Sequence, residues 1–270
     1  MSTPLSNPPP SVERWAHQLI TTRDLSAKLS PPGVPDRWQP NEAPAAPAAP
    51  GRPPQLRPAT NSFKTPSAEQ LRAPQARAHL LHTFLHHELQ AAELMAWALL
   101  RFPLAEPSFR RGLLGILQEE LDHANRYAAH LRNLGFAVGD FPVRDWFWRR
   151  VPSCQTPLQF VALMGLGLES ANLEHCVRFE RDLRLAGDTV AADLQADIER
   201  DETRHVAFAR HWYERWQGKL SFEGWCAQLP KPLSPLLLRG RPLNQRARRA
   251  AGIPPAFLEQ LEAWNPSPGS

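Results

Sequence analysis

Glu119-Glu120-Leu121-Asp122-His123 and Asp201-Glu202-Thr203-Arg204-His205 repeat one pattern: an acid, then a Glu, then a His three residues beyond that Glu. On an α-helix three residues is close to one turn, so Glu120 and His123 project from one face, as do Glu202 and His205. A carboxylate beside an imidazole is half of a metal site. Two such halves point to a dinuclear centre inside a helical bundle.

The flanking residues place both halves in the core. Leu113, Ile116, Leu117, Ala124, Tyr127 and Leu131 make one helical row with Glu120 and His123. Leu194, Ile198, Phe208 and Trp212 make another with Glu202 and His205. Carboxylates rarely occupy such a stripe unpaired, because burying a charge is costly. A divalent metal offsets that cost; structural ion pairing is the other way.

Four long helices follow from the punctuation. The first runs from Pro74 to about Arg101, the second from Pro107 to Gly135, the third from Pro157 to Leu185, and the fourth from Gly187-Asp188 to Gly218. Each is about 28 residues, or ~42 Å long. A long connection carrying Trp146, Phe147 and Trp148 separates the second from the third. The expected fold is all-α: a ferritin-like four-helix bundle over 74–218, with a proline-rich arm over 1–73 and a tail of short helices over 219–270. The arm holds more than half of the 29 prolines. Within it, 12–29 reads as a short amphipathic helix, and Asn41 to Thr65 as a wrapping arm or linker.

The first and third helices should supply one carboxylate each. The candidates are Glu88 and Glu93 on one, Glu169 and Glu174 on the other, at the same spacing of five. Glu88 falls in the row Leu81, Phe84, Leu85, Ala92, Met95; Glu169 falls in the row Ala162, Leu166, Asn172, Leu173, Cys176. Glu174 shares a more polar face with Ser170, Arg178 and Arg181. Glu88 precedes Glu120 by 32 residues and Glu169 precedes Glu202 by 33, so two matched hairpins carry Glu, then Glu-x-x-His. The expected ligands are Glu88, Glu120, His123, Glu169, Glu202 and His205, with Glu93 and Glu174 outside them. Oxygen and nitrogen donors suit iron or manganese. Glu119 and Asp201 are candidates to hold the far ring nitrogen of a metal-bound His, each reaching the opposite hairpin. Arg204 and Asp122, at matching positions in the two copies, are further candidates to surround the ligands and make the two copies unequal.

Composition sets bounds. The chain has 270 residues, 42% of them hydrophobic, and a net charge of +4, which does not by itself argue for nucleic acid. Cys154, Cys176 and Cys226 are widely spaced and read as reduced thiols, so a cytoplasmic protein is expected. No run approaches the ~18 apolar residues of a membrane span. The arginines at 239, 241, 246, 248 and 249 read as solvated or internally paired, with an RNA, lipid or protein contact as the alternative.

Asp201-Glu202-Thr203-Arg204-His205 resembles the [Asp/Glu]-Glu-x-Arg-His motif of bacterial multicomponent monooxygenases in the ferritin-like di-iron carboxylate superfamily. More closely, the chain resembles an uncharacterised bacterial family of ferritin-like proteins, known only as a domain of unknown function. His86-His87-Glu88-Leu89-Gln90-Ala91-Ala92-Glu93-Leu94-Met95-Ala96-Trp97, Gly139-Asp140-Phe141-Pro142-Val143, Leu168-Glu169-Ser170-Ala171-Asn172-Leu173 and the Gly187-Asp188 turn carry the resemblance. Trp15-Ala16-His17 and Pro50-Gly51-Arg52-Pro53-Pro54 fit it too, which makes the arm part of the folded unit. The resemblance spans most of 10 to 265 and implies a fold and a metal site but no settled reaction. Similarity to a bacterial tRNA hydroxylase is distant and at the level of fold.

The expected cofactor is therefore two Fe ions, with Mn or mixed Mn/Fe as variants. The expected partners are O₂, an unknown small-molecule or modified-macromolecule substrate, and an electron donor. An oxygenase or oxidase (hydroxylase, desaturase or N-oxygenase type) is the leading expectation. Ferroxidase or iron handling is the second, and a metal-stabilised scaffold the third. Tyr127, Cys176, Met95, Phe208, Phe84 and Leu166 are the candidate cavity residues. His86, His87 and His175 read as neighbours of the site rather than ligands. An oxygenase should show a cavity reaching the metals from the surface, a ferroxidase an acidic channel, and a scaffold a closed site.

Overall fold

Ser11 and Asp24 cap the first two helices. Ser11 Oγ accepts from Arg14 N at 3.3 Å and Asp24 Oδ1 from Ala27 N at 3.0 Å, each satisfying an amide that a helix start leaves open. The expected single helix over 12–29 is thus two, α1 (Val12–Thr21) and α2 (Leu25–Leu29), broken where Asp24 begins a new cap. The computed structural model describes residues 11–59 and 65–265; residues 1–10, 60–64 and 266–270, among them Pro8-Pro9-Pro10, lie outside that description. Among the described residues the structure is all-helical, without a β-strand.

Proline at the first helical position starts α3 (Pro74–Arg101) and α4 (Pro107–Asn133). The third long helix differs from expectation. After one turn, α5 (Pro157–Phe160), the chain runs as a π-helix over Val161–Glu169 before resuming as α6 (Ser170–Leu185). Ser170 N–H reaches back to Gly165 O, a wide turn of five. Trp225 Nε1 donates to Ala162 O at 2.8 Å. Such turns recur at functional sites, and this one ends on Glu169. Asp188 Oδ1 then accepts from Ala191 N and starts α7 (Thr189–Gln217). Three short helices close the chain: α8 (Phe222–Gln228), α9 (Gln245–Ala250) and α10 (Pro255–Ala263).

α3 and α4 pack as one hairpin, α6 and its π-helical lead-in with α7 as another, and α4 meets α7 across the middle. α3 is buried over nearly its whole circumference from Leu80 to Leu100, because α1 lies along its outer side. Trp15, Leu19 and Ile20 of α1 are buried there. No helix among the described residues is long and apolar enough to cross a membrane.

The two outer glutamates anchor the arm and the tail. Glu93 accepts from Lys28 Nζ at 2.6 Å, from Arg52 Nη1 at 2.7 and 2.9 Å, and from Trp148 Nε1 at 2.7 Å. Lys28 spends its remaining donors on Leu19 O and Ile20 O, both at 3.0 Å, so a fully buried ammonium has three partners. Gly51 lets the arm reach this position: a Cβ there would stand 2.1 Å from Thr21 O. Glu174, five residues past Glu169, accepts from Gly240 N and Asn244 N, both at 2.9 Å, and from Arg248 Nε and Nη2, both at 2.8 Å. Glu174 is therefore buried beneath the tail rather than lying on an open polar face. Of the tail arginines, Arg248 is buried on Glu174, Arg239 donates to the carbonyls that end α10, and Arg246 pairs with Glu199. Arg241 and Arg249 are exposed.

Candidate metal centre

The rows on α3, α4, α6 and α7 converge. Glu88, Glu120 and His123 form one group, and Glu120, Glu169, Glu202 and His205 a second, with the donor atoms of each group within 4.8 Å of one another. Glu120 is common to both. All six are buried, none more than 5% exposed. Glu93 and Glu174 stand outside, on the arm and tail.

Each imidazole has a fixed orientation. His123 points Nδ1 inward, 3.6 Å from Glu120 and 3.7 Å from Glu88, and sets Nε2 3.0 Å from Asp201. His205 points Nδ1 inward, 3.1 Å from Glu120 and 3.5 Å from Glu202, and sets Nε2 2.7 Å from Glu119. Each acid beside one Glu thus reaches the His of the other hairpin. An outward N–H held by a carboxylate leaves the inward nitrogen as a lone-pair donor, the arrangement of metal-bound histidine. Arg204 lies across both acids, 2.7 Å from Asp201 and 3.3 Å from Glu119. Asp122 does not join this network. It sits on the exposed side of α4, because Glu120 and His123 occupy the inward side.

The inward-facing atoms lack partners. Both Glu120 oxygens, Glu169 Oε1, Glu202 Oε2 and the Nδ1 atoms of His123 and His205 are buried without a hydrogen bond. Such atoms are costly unless something binds them. Ion pairing alone does not balance the cluster, since four carboxylates face at most two imidazolium charges. Burial pushes the Glu88 and Glu169 carboxyls well above the usual range, with neighbouring carboxylates adding to the effect at Glu88. Burial opposes a charge on His123, yet Glu120 and Glu88 hold its pKa up at about 11. In the metal-free chain protons thus stand where cations would. Two divalent ions with neutral histidines would match the four carboxylates, and the oxygen and nitrogen donors fit iron or manganese.

The π-helical approach sets Glu169. Gly165 lies one turn before it, and a Cβ there would come 2.2 Å from Ala209 Cβ on α7. Only glycine lets this segment lie that close to α7. Asn172 Nδ2 donates to Glu202 Oε1 at 2.8 Å and fixes that carboxylate.

Glu88, Glu169 and Glu202 also face a cavity of about 610 Å³ that opens between α3 and α6. Phe84, Tyr127, Met164, Leu168 and Phe179 line it, and the 136–156 connection contributes Arg144, Trp146 and Phe147. Exposed His175, Arg178 and Leu237 belong to the same lining, so the cavity reaches the surface. Phe147 stacks on His87 with centroids 5.0 Å apart, and Gln90 pins the connection by donating to Arg144 O at 3.1 Å.

Of the expected cavity residues, Tyr127 and Phe84 line it; Cys176, Met95, Phe208 and Leu166 do not. Met95 and Leu166 pack in the main core, and Phe208 stacks on Phe109. Cys176 is buried among Leu183 and Phe179, and burial with the nearby carboxylates pushes its thiol well up. None of His86, His87 and His175 joins either ligand group. All three line the cavity, and His86 also bonds Asp145 at 3.1 Å. Missing from the sequence reading were Asn172, Arg144 and the partners of Glu93. Asn172 had a signal, as a polar residue in the Glu169 row. Arg144, Arg52 and Trp148 lie in irregular segments, and Lys28 in a short helix whose docking site periodicity does not give.

A family model described as "Protein of unknown function (DUF455)" matches residues 11–259. A curated relative, an "Uncharacterized protein" of Haemophilus influenzae, is 28% identical over 144 residues, covering 50% of each chain. The chain thus spans about half the length of that relative. No solved structure matches.

Proposed function

The chain belongs to the DUF455 family, and from that premise we propose that it is a ferritin-like, dinuclear iron carboxylate protein acting as an O₂-dependent oxygenase or oxidase on an organic substrate. One observation carries this reading over its rivals: three of the proposed ligands, Glu88, Glu169 and Glu202, form the inner wall of a mostly apolar cavity open to the surface. A scaffold needs no access to its metals. A ferroxidase needs an acidic path, and among the described residues the charged lining outside these ligands is Arg144 and Arg178.

Glu88 and His123 would hold one ion, Glu169, Glu202 and His205 the other, with Glu120 shared between them. When bound, carboxylate-held di-iron supplies the two-electron reduction of O₂ and the oxidising power for hydroxylation, desaturation or N-oxygenation. The chain's own residues do the rest. Asp201 and Glu119 keep a proton on the outward Nε2 of His123 and His205. Asn172 keeps one oxygen of Glu202 in place. Phe84, Phe179, Met164 and Leu168 exclude water from the space beside the carboxylates.

The test is metal content and stoichiometry on protein purified without added metal, followed by anaerobic Fe(II) titration and O₂ uptake. Two irons per chain and O₂ consumption without growth of an iron core are expected. Glu120→Ala should lose both ions and destabilise the fold together. A wild-type chain that binds no iron, manganese or other divalent metal removes the dinuclear reading. Oxidation of many irons per chain supports iron handling instead.

A further inference from the structure

The cavity has two unlike ends. Its inner end is carboxylate, at Glu88 and Glu169, and its rim carries Arg144 and Arg178. Among the described residues no other charged side chain lines it apart from Glu202. Leu168 at the end of the π-helical segment and Asn172, His175 and Arg178 on α6 follow one another at three or four residues, so one helix face forms the wall from end to end. Arg178 lies nine residues beyond Glu169, ~13.5 Å along a helix axis. Between the ends the walls are mainly aromatic and aliphatic, with Thr83, Asn172 and Gln195 among them and the Phe84 and Phe179 rings 5.0 Å apart.

Both arginines have donors to spare. Arg144 is exposed and has no hydrogen-bond or ion-pair partner among the described residues, although Gln90 holds its backbone. Arg178 lies over the Phe179 ring at 5.0 Å and makes one loose contact, its Nε 3.6 Å from Asp182 Oδ2. Asp182 is already engaged at 2.7 Å by Arg181. Two under-used guanidinium groups on the rim of a mostly apolar cavity give it a positive potential, since the one carboxylate beside Arg178, Asp182, is also engaged by Arg181. A guanidinium binds a carboxylate or phosphate through paired N–H donors.

We propose that the cavity takes an elongated, mainly apolar organic anion, its carboxylate or phosphate at the arginine rim and its apolar end toward Glu88 and Glu169. Its oxidation there rests on the metal-centre reading; its binding does not. The volume is within the range of sites that enclose a drug-sized molecule. The orientation presents carbon, rather than the anionic group, to the metal side.

The probes are decanoate, decyl phosphate, 1-decanol and decylamine, each displacing a neutral environment-sensitive dye from the full chain. The chain is used both iron-loaded under anaerobic conditions and chelator-treated. Decanoate or decyl phosphate should displace the dye at about tenfold lower concentration than 1-decanol, and which acid is better separates carboxylate from phosphate substrates. The double variant Arg144→Gln/Arg178→Gln should erase that preference without changing 1-decanol binding or metal content. Equal binding of the alcohol or amine overturns the proposal, as does failure of all four probes or a preference that survives the double variant. A preference that needs the metal and ignores the arginines places the anion on the metals and also overturns it. Metal content is read separately: a chain without metal that keeps an arginine-dependent preference loses the oxygenase reading and retains this one.

Discussion

Replacing Asp201 by Asn, or Glu119 by Gln, should weaken one metal ion and spare the other. Asp201 holds Nε2 of His123 and Glu119 holds Nε2 of His205, at 3.0 and 2.7 Å. An amide of the same shape keeps the packing and removes the charge that fixes the tautomer and raises the basicity of the inward nitrogen. Changes of this kind cost about 10–100-fold in metal affinity, or ~1.4–2.8 kcal/mol. Exposure decides where each falls in that range. Asp201 is 25% exposed and Glu119 42%, so water replaces the lost charge more readily at Glu119. Asp201→Asn should lie toward the 100-fold end and Glu119→Gln toward tenfold. Anaerobic calorimetric titration of the chelator-treated chain with Fe(II) or Co(II) reads both ions. Wild type should show two equivalents, and each variant one unchanged and one weakened equivalent. Arg204→Met is the control. It touches both acids but is 59% exposed, so its effect should stay below ~1 kcal/mol and be shared by the two ions. If both equivalents weaken together in both single variants, or neither moves, the outward carboxylates do not orient separate metal ligands.

Glu93→Ala leaves Lys28 buried without its counter-ion and should cost ~3–5 kcal/mol in guanidinium unfolding. Lys28→Met should cost less, ~1–3 kcal/mol, because Arg52 and Trp148 still satisfy Glu93 while two α1 carbonyls lose their donor; equal losses would remove this ordering. Gly165→Ala forces a Cβ toward Ala209 and should cost ~1–3 kcal/mol of stability and weaken metal binding through Glu169, so an unchanged Tm with full metal content would count against the close approach. Glu88 and Glu169 have folded pKa values raised well above 4.5 by burial. The folded metal-free chain therefore binds more protons than the unfolded one above that value, and their stabilising contribution is lost as pH rises through the folded pKa. Cations replace those protons, so thermal denaturation should show a larger gain in Tm on metal loading at about pH 8 than at about pH 6; a gain that shrinks with pH would reverse the sign.

Much of the centre was legible because it is written in local periodicity. Glu120 with His123, and Glu202 with His205, share faces by helix geometry alone, and the matched distances back to Glu88 and Glu169 selected two further carboxylates. The spacing of five that sets Glu93 and Glu174 apart from them was also legible, but their tasks were not. Glu93 is explained by Lys28, Arg52 and Trp148, and Glu174 by Gly240, Asn244 and Arg248. These partners sit in short helices and irregular segments far from the two glutamates in the sequence, and local periodicity does not say where such segments dock. In the sequence the π-helical turns before Glu169 look like ordinary helix, since Gly165 and Gly167 in an apolar run do not reveal how many residues each turn contains.

By itself the sequence determined which side chains share a helix face, where three long helices start, and that buried carboxylates accompany buried histidines. Those properties depend on covalent spacing and a fixed rise per residue. The tertiary structure decided what depends on the rotation of one helix against another and on the path of the arm, connection and tail. It set Asp201 on His123 and Glu119 on His205, turned Asp122 outward, and made Glu120 common to both ligand groups. It also opened the cavity between α3 and α6, beside Tyr127 and Phe84 rather than Met95, Cys176 and Phe208. Met95 shares the face of Phe84 on α3 but lies ~16.5 Å further along the axis, and helical period carries no record of where along a row a cavity opens.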